Sequence, residues 1–279
     1  MVILFLIAAT LSFSDAHAGE DKINIFVSIL PQKYFAERIA GDRINVHVMV
    51  GPGRNPVTYE PTPRQMVALQ HSRLFFRIGV PFETVWIKQI AELNPNIEII
   101  DCCEEIKKLY LPEFDHSHDL LDPHTWTSPS NAKLIASRIK NALVETDPSL
   151  AADYEVNYLK LIADLEQLDS DISKLLGTLK HRLMVVSHPS WGYFAKDYDL
   201  EQISIEQAGT EIRAKTLGRL IERLKQTSTR FVFVQKQFNT DGAYVLAGAI
   251  GAEVVELDPL AEDYINNLMQ VTRAIAAGE

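Results

Sequence analysis

The sequence predicts an α/β protein of two lobes, each a parallel sheet flanked by helices, joined by one long connecting helix. Three observations predict it. Short runs rich in Ile, Val and Phe alternate with helical patterns, as βαβ units do. That alternation occurs twice, on either side of one segment with an unbroken helical stripe. The chain has 279 residues, room for two lobes of ordinary size, and folding at this length buries roughly 75% of the unfolded surface.

Taken in order, residues 1–18 read as a cleaved secretory signal. Val2 to Leu11 is almost wholly apolar, and Ala16-His17-Ala18 presents small residues at peptidase spacing before the polar Gly19-Glu20-Asp21-Lys22. That run is too short for a membrane-spanning helix, and no cysteine stands at the cleavage point to carry a lipid. The first lobe, 19–146, has strands predicted at Ile23–Ile29, Ile44–Val50, Arg73–Gly79 and Ile97–Asp101. Helices are predicted at Pro31–Ala40, Pro63–His71 and Phe82–Leu93, with another starting near Pro129.

The connecting helix occupies 147–178. Asp147-Pro148 supplies an N-cap and a proline at the first helical position. Tyr154, Tyr158, Leu161, Leu165, Leu168, Ile172 and Leu175 then follow at alternating steps of four and three. A helix over 149–176 is a rod of about 42 Å at 1.5 Å per residue, long enough to cross the backs of both lobes and limit their relative motion. The second lobe, 179–279, has strands predicted at Leu183–Ser187, Ile203–Ile205, Phe231–Gln235 and Glu253–Leu257, and helices at Thr210–Gln226 and Asp241–Ile250. Adjacent Cys102 and Cys103, the only cysteines, read as half-buried thiols, because neighbouring Cα atoms lie about 3.8 Å apart, below the disulfide range.

The composition, 47% apolar and 23% charged, excludes disorder and a disulfide scaffold. With 27 basic residues against 37 acidic ones, the net charge of −10 repels phosphate backbones, so no nucleic-acid partner is expected. It suits a protein that meets cations.

In open α/β sheets, ligands bind beyond the carboxyl ends of the strands. His188 and Asp258 each follow a predicted strand of the second lobe. Glu60 and His124 fall in loops of the first. Two imidazoles and a carboxylate meeting in a cleft would make a transition-metal site. Asp258, preceding Pro259, equally suits the start of a turn, and a single His after a strand is commonly a hydrogen-bonded cap.

Four ordered motifs carry a resemblance. They are Asn55-Pro56-Val57-Thr58-Tyr59-Glu60-Pro61-Thr62-Pro63, Asp122-Pro123-His124-Thr125-Trp126, Ser187-His188-Pro189-Ser190-Trp191-Gly192-Tyr193 and Glu256-Leu257-Asp258-Pro259-Leu260. Together they resemble the metal-binding solute receptors of ATP-driven zinc and manganese importers, in particular periplasmic zinc-uptake proteins. The likeness spans essentially the whole mature chain.

The resemblance implies a periplasmic receptor, monomeric by default, that holds one divalent metal in the cleft and passes it to an inner-membrane ABC permease. It implies His124, His188 and Asp258 as ligands. The chain departs from the family at Val57, where a first histidine is usual, and at Gln235, where many relatives have Glu. The fourth position is open to Glu60, to water, or to His116 or His118 of the acidic loop Asp115-His116-Ser117-His118-Asp119. Two imidazoles and one carboxylate favour zinc over manganese, which prefers more oxygen donors. No catalysis is expected, since no His-Glu-x-x-His helix is present. The rival readings are a receptor that has lost metal binding and takes another solute or partner, and a zinc hydrolase with Glu60 as general base.

Overall fold

A computed structural model describes residues 22–111, 120–207, 210–211 and 214–278. The expected signal segment 1–18 lies outside the described residues, as do His116 and His118.

The first strand, β1 (Ile23–Ile29), buries Ile25, Phe26, Val27 and Ile29 with no alternation, as a strand covered on both faces must. After α1 (Leu30–Ala40), the strand β2 (Ile44–Val50) pairs with it in parallel. Helix α2 (Pro63–Leu69) leads to β3 (Leu74–Arg77) on the other side of β1. Helix α3 (Pro81–Leu93) leads to β4 (Glu98–Asp101), so the first sheet runs β2-β1-β3-β4. Prolines at the first turns of α1, α2 and α3 and Thr62, whose Oγ1 accepts from the Gln65 amide at 3.3 Å, set the helix starts. Cys102 and Cys103 follow β4 and are free and buried rather than half-buried.

Helix α4 (Pro129–Thr146) closes the first lobe, and α5 (Ala151–Leu176) is the long connector. Its start differs from the expectation. Asp147 Oδ1 accepts from the Ser149 amide at 3.1 Å and caps a single 3₁₀ turn, Pro148–Leu150, before α-helical bonding begins. Tyr154, Leu161, Leu165, Leu168 and Ile172 are buried as the stripe requires, and Leu176 replaces Leu175 as its last buried member. The helix packs on α1 and α4 of the first lobe and on α9 (Tyr264–Ala276) of the second. A single apolar core therefore runs from Phe35 and Ile39 through Leu165 and Leu168 to Leu268 and Val271.

The second sheet repeats the plan with β5 (Leu183–Val186), α6 (Gly192–Asp197) and β6 (Glu201–Ser204). The chain then leaves β6 still extended. The Glu206 amide donates to Ser187 O at 2.8 Å, and β7 (Glu206–Gln207) pairs antiparallel with β8 (Thr210–Glu211). This corrects the helix expected from Thr210. Thr210 suits an extended strand, and α7 begins only at Ala214, running to Leu224. The strands β9 (Phe231–Val234) and β10 (Glu253–Glu256) flank α8 (Asp241–Ile250) and complete a parallel sheet of order β10-β9-β5-β6.

Candidate metal centre between the lobes

Each sheet reverses its winding direction once, between β1 and β3 in the first and between β5 and β9 in the second. Loops that leave such a switch point diverge and open a crevice at the carboxyl ends of the strands. Gly79-Val80-Pro81 leaves β3, Ser187-His188 leaves β5 and Gln235 follows β9. These segments wall a cavity of about 330 Å³ together with His124 from the first lobe. The architecture thus brings both predicted histidines to one place, one from each lobe.

His124 is held by its own turn. The strand-like segment before it is pinned where the Asp122 amide donates to Leu109 O at 2.8 Å. Asp122 Oδ1 then accepts from the His124 amide at 2.9 Å and sits 2.7 Å from His124 Nδ1. His188 Nδ1 sits 3.0 Å from Glu206 Oε2, on the extended chain after β6. In neutral imidazoles this pairing keeps Nδ1 as the donor and leaves each Nε2 lone pair for a metal. The rings stand edge to face with centroids 5.3 Å apart, and both residues are buried, His124 at 9% exposure and His188 at 7%. Burial pushes the His188 pKa below its usual value and His124 adds to this, while Glu206 opposes it. His188 therefore stands ready as a neutral donor at physiological pH. Phe238 stacks on its ring at 3.7 Å and fixes the ring plane.

The two carboxylates predicted to join them do not group with the imidazoles in this arrangement. Asp258 Oδ1 accepts from the Leu260 amide at 2.9 Å and from Gln237 Nε2 at 3.0 Å. The first of these closes a turn of the kind that Asp before Pro invites. Glu60 is exposed and faces a separate hollow with Tyr59 and Thr62. Among the described residues, no group of three or more His, Cys, Asp or Glu is close enough to hold an ion. Val57 lines the cavity that holds the imidazoles, 46% exposed.

Sequence reasoning missed the carboxylates that matter most in this geometry. Asp122 lies inside the quoted Asp-Pro-His motif, two residues from the ring it orients, and the Asp-x-His spacing was the available signal. Glu206, eighteen residues from His188, has no local signal. Gln235, noted only as a departure, is 2% exposed. Its Nε2 donates to Ser190 Oγ at 2.7 Å, while its Oε1 has no hydrogen-bond partner.

The aromatic residues divide between wall and strut. Trp126 lines the cavity and also donates from Nε1 to Pro259 O at 2.8 Å, across the lobes. Tyr264 Oη donates to Trp126 O at 2.8 Å. Tyr193 Oη accepts from the Leu109 amide and donates to Asp122 O, both at 3.0 Å, and burial lifts its pKa to about 12. Trp191 is fully buried core. Beside Tyr193, Gly192 permits a close approach, for a Cβ there would lie 2.6 Å from Asp122 Oδ2.

Known proteins place this chain in a family. The family profile "Zinc-uptake complex component A periplasmic" (ZnuA) matches residues 25–278. A relative from Chlamydia trachomatis serovar D, named "Putative metal-binding protein", is 31% identical over 286 residues, covering 99% of both chains. The manganese-binding lipoprotein MntA of Halalkalibacterium halodurans is 28% identical over 295 residues, covering 100% of this chain and 96% of the relative. A crystal structure of ZnuA superposes with a TM-score of 0.88 at 39% identity, covering 92% of this chain and 99% of that one. The paired imidazoles between two parallel-sheet lobes, and the match across nearly the whole described chain, make this protein a member of the ZnuA family of metal-binding ABC-transporter receptors.

Proposed function

We propose that this chain captures a divalent transition metal, zinc before manganese, in the inter-lobe cavity and delivers it to an inner-membrane ABC permease after export through residues 1–18. One observation carries the reading. Two buried imidazoles from opposite lobes each have a carboxylate on Nδ1, which leaves both Nε2 atoms as donors. Bonds of about 2.0–2.1 Å to nitrogen are normal for zinc, and neutral nitrogen donors favour it over manganese.

The charge balance supports the same reading. Asp122 and Glu206 sit one atom layer behind the rings and offset the two positive charges of the ion without occupying its coordination positions. Such carboxylates raise the basicity of the imidazoles they hold. The protein needs no chemistry beyond grip and release, and it works as a monomer.

Calorimetric titration of the metal-stripped protein with zinc tests this. One equivalent per chain is expected, with loss of binding in His188→Ala. No heat and no thermal stabilisation with any divalent metal would end the proposal.

A further inference from the structure

One bond between the lobes lies apart from the segment that carries His124. Asn55 sits in the loop between β2 and α2, where the Arg54 amide donates to Gly51 O at 3.2 Å and Gly53, at a φ of 69°, makes the turn. Pro56 is buried, and its O accepts from the Phe82 amide at 3.2 Å, which ties the loop to the start of α3. The carboxamide of Asn55 then works in two directions. Its Oδ1 accepts from the Val57 amide at 2.8 Å and closes an Asx turn within its own lobe. Its Nδ2 donates to Gln237 O at 3.1 Å in the other lobe.

The receiving stretch is the one that covers His188. Gln237 follows β9, and its Nε2 donates to Asp258 Oδ1 at 3.0 Å, which ties it to the turn after β10. The next residue, Phe238, stacks on the His188 ring at 3.7 Å. Asn55, Gln237 and Phe238 also wall a hollow of about 190 Å³ with Glu206, the carboxylate on His188 Nδ1.

We propose that Asn55 is a latch between the lobes, whose bond to Gln237 O holds Phe238 over His188 and shuts that side of the cavity against solvent. A neutral, partly shielded hydrogen bond shifts an equilibrium by roughly 2- to 10-fold. That is too little to keep the chain folded and enough to bias a local opening. The bonds from Trp126, Tyr264 and Tyr193 all end on residues 122–126, so the latch releases while they and the shared core along α5 stay intact. The inference goes beyond the metal-capture reading and is tested on the metal-free chain, so either can fail alone.

Carbethoxylation of His188 by diethyl pyrocarbonate, followed by peptide mass spectrometry, reads the opening, with the exposed His71 as internal standard. Asn55→Ala removes both bonds. Asn55→Asp keeps an acceptor for the Val57 amide and sets a carboxylate oxygen against Gln237 O, so it breaks the cross-lobe bond alone. Both variants should raise the His188 rate relative to His71 by roughly 2- to 10-fold, with amide hydrogen exchange at Leu165 and Leu168 of α5 unchanged. Parental rates in both variants would overturn the latch. A rise in Asn55→Ala alone would assign the effect to the Val57 turn and overturn the cross-lobe role. A matching rise in exchange along α5 would make the loss a global one and overturn the latch as well.

Discussion

Removing the carboxylate of Asp122 should weaken zinc binding although it touches no metal. Its Oδ1 lies 2.7 Å from His124 Nδ1 and 2.9 Å from the His124 amide, so one oxygen fixes both the ring tautomer and the turn that presents it. The residue is 1% exposed, so its carboxylate acts on the ring with little screening by solvent. Loss of an outer carboxylate of this kind costs about 10–100-fold in metal affinity. Two features place this residue at the upper end. The bond to Nδ1 is short, and the ring loses backbone restraint in the same step. The unpaired His124 amide adds about 1–3 kcal/mol of lost folding stability. Asp122→Asn keeps an acceptor oxygen and drops the charge, so it should fall near the lower end.

Competition against a chromophoric chelator reads the affinity, and urea unfolding of the metal-free variants reads the stability, which keeps the two effects apart. Nitrogen-15 shifts of His124 report the tautomer directly. If Asp122→Ala binds zinc like the parent while His124→Ala abolishes binding, the carboxylate does not orient the ring and the reasoning is refuted.

Gly192→Ala tests the same contact from the other side. Alanine is worth about 1 kcal/mol more than glycine within a helix, yet here its Cβ would sit 2.6 Å from Asp122 Oδ2. We expect a net loss of about 1–3 kcal/mol from overpacking, with weaker zinc binding; a stabilised variant with parental affinity would contradict it. Glu83, at the start of α3, accepts from the Ile78 and Gly79 amides, both at 2.8 Å, and so shapes the cavity wall. Burial raises its pKa above the usual 4.5, against those amides. The native state therefore holds this proton more tightly than the unfolded chain, so stability falls as the pH rises above 4.5 towards the native value. Glu83→Gln should gain on the parent over that window by about 1.4 kcal/mol for each unit of the rise, as read from urea midpoints; a gap moving the other way would reverse the assignment. Val57→His places a third imidazole at the cavity and should tighten binding of uncomplexed zinc by at least about tenfold, measured by the same competition. An unchanged constant would show that position 57 does not reach the ion.

Most of the fold was legible because it rests on local periodicity. The apolar runs that became β1 and β2 and the stripe of α5 read directly as elements, and the switch-point rule put His124 and His188 in one crevice. Failures came where tertiary contacts override the local pattern. Residues from Thr210 looked helical, but the chain leaving β6 carries its pairing past Ser187 into a hairpin, and the helix starts later. Asp258 fitted both a ligand and a turn, and the turn is the part the structure shows, closed by its Oδ1; the ligand role is untested. Glu206 reaches His188 only because β5 and β6 are neighbours, a fact of sheet order that no spacing of eighteen residues encodes.

The same bonds that assemble the site limit how it can open. The two lobes share a continuous core along α5, so a wide hinge motion would expose Leu165, Leu168 and their partners at about 1.5–3 kcal/mol for each large side chain. Smaller displacements meet a different obstacle. Trp126 to Pro259, Tyr264 to Trp126 and Tyr193 to Asp122 all bridge the lobes, and all three end on the segment that carries His124. Any separation of the lobes that stretches Tyr193 Oη from Asp122 O disturbs the residue that orients His124, at the moment His188 is drawn away with the second lobe. Loss of grip then needs no unfolding and no large swing. In the proposed metal site, two imidazoles that are 5.3 Å apart between ring centroids, each on its own lobe, would lose a shared ion once they part by a fraction of that distance. A receptor held by a stiff strut can thus be stable in isolation and still surrender its cargo to a small strain applied across the cleft.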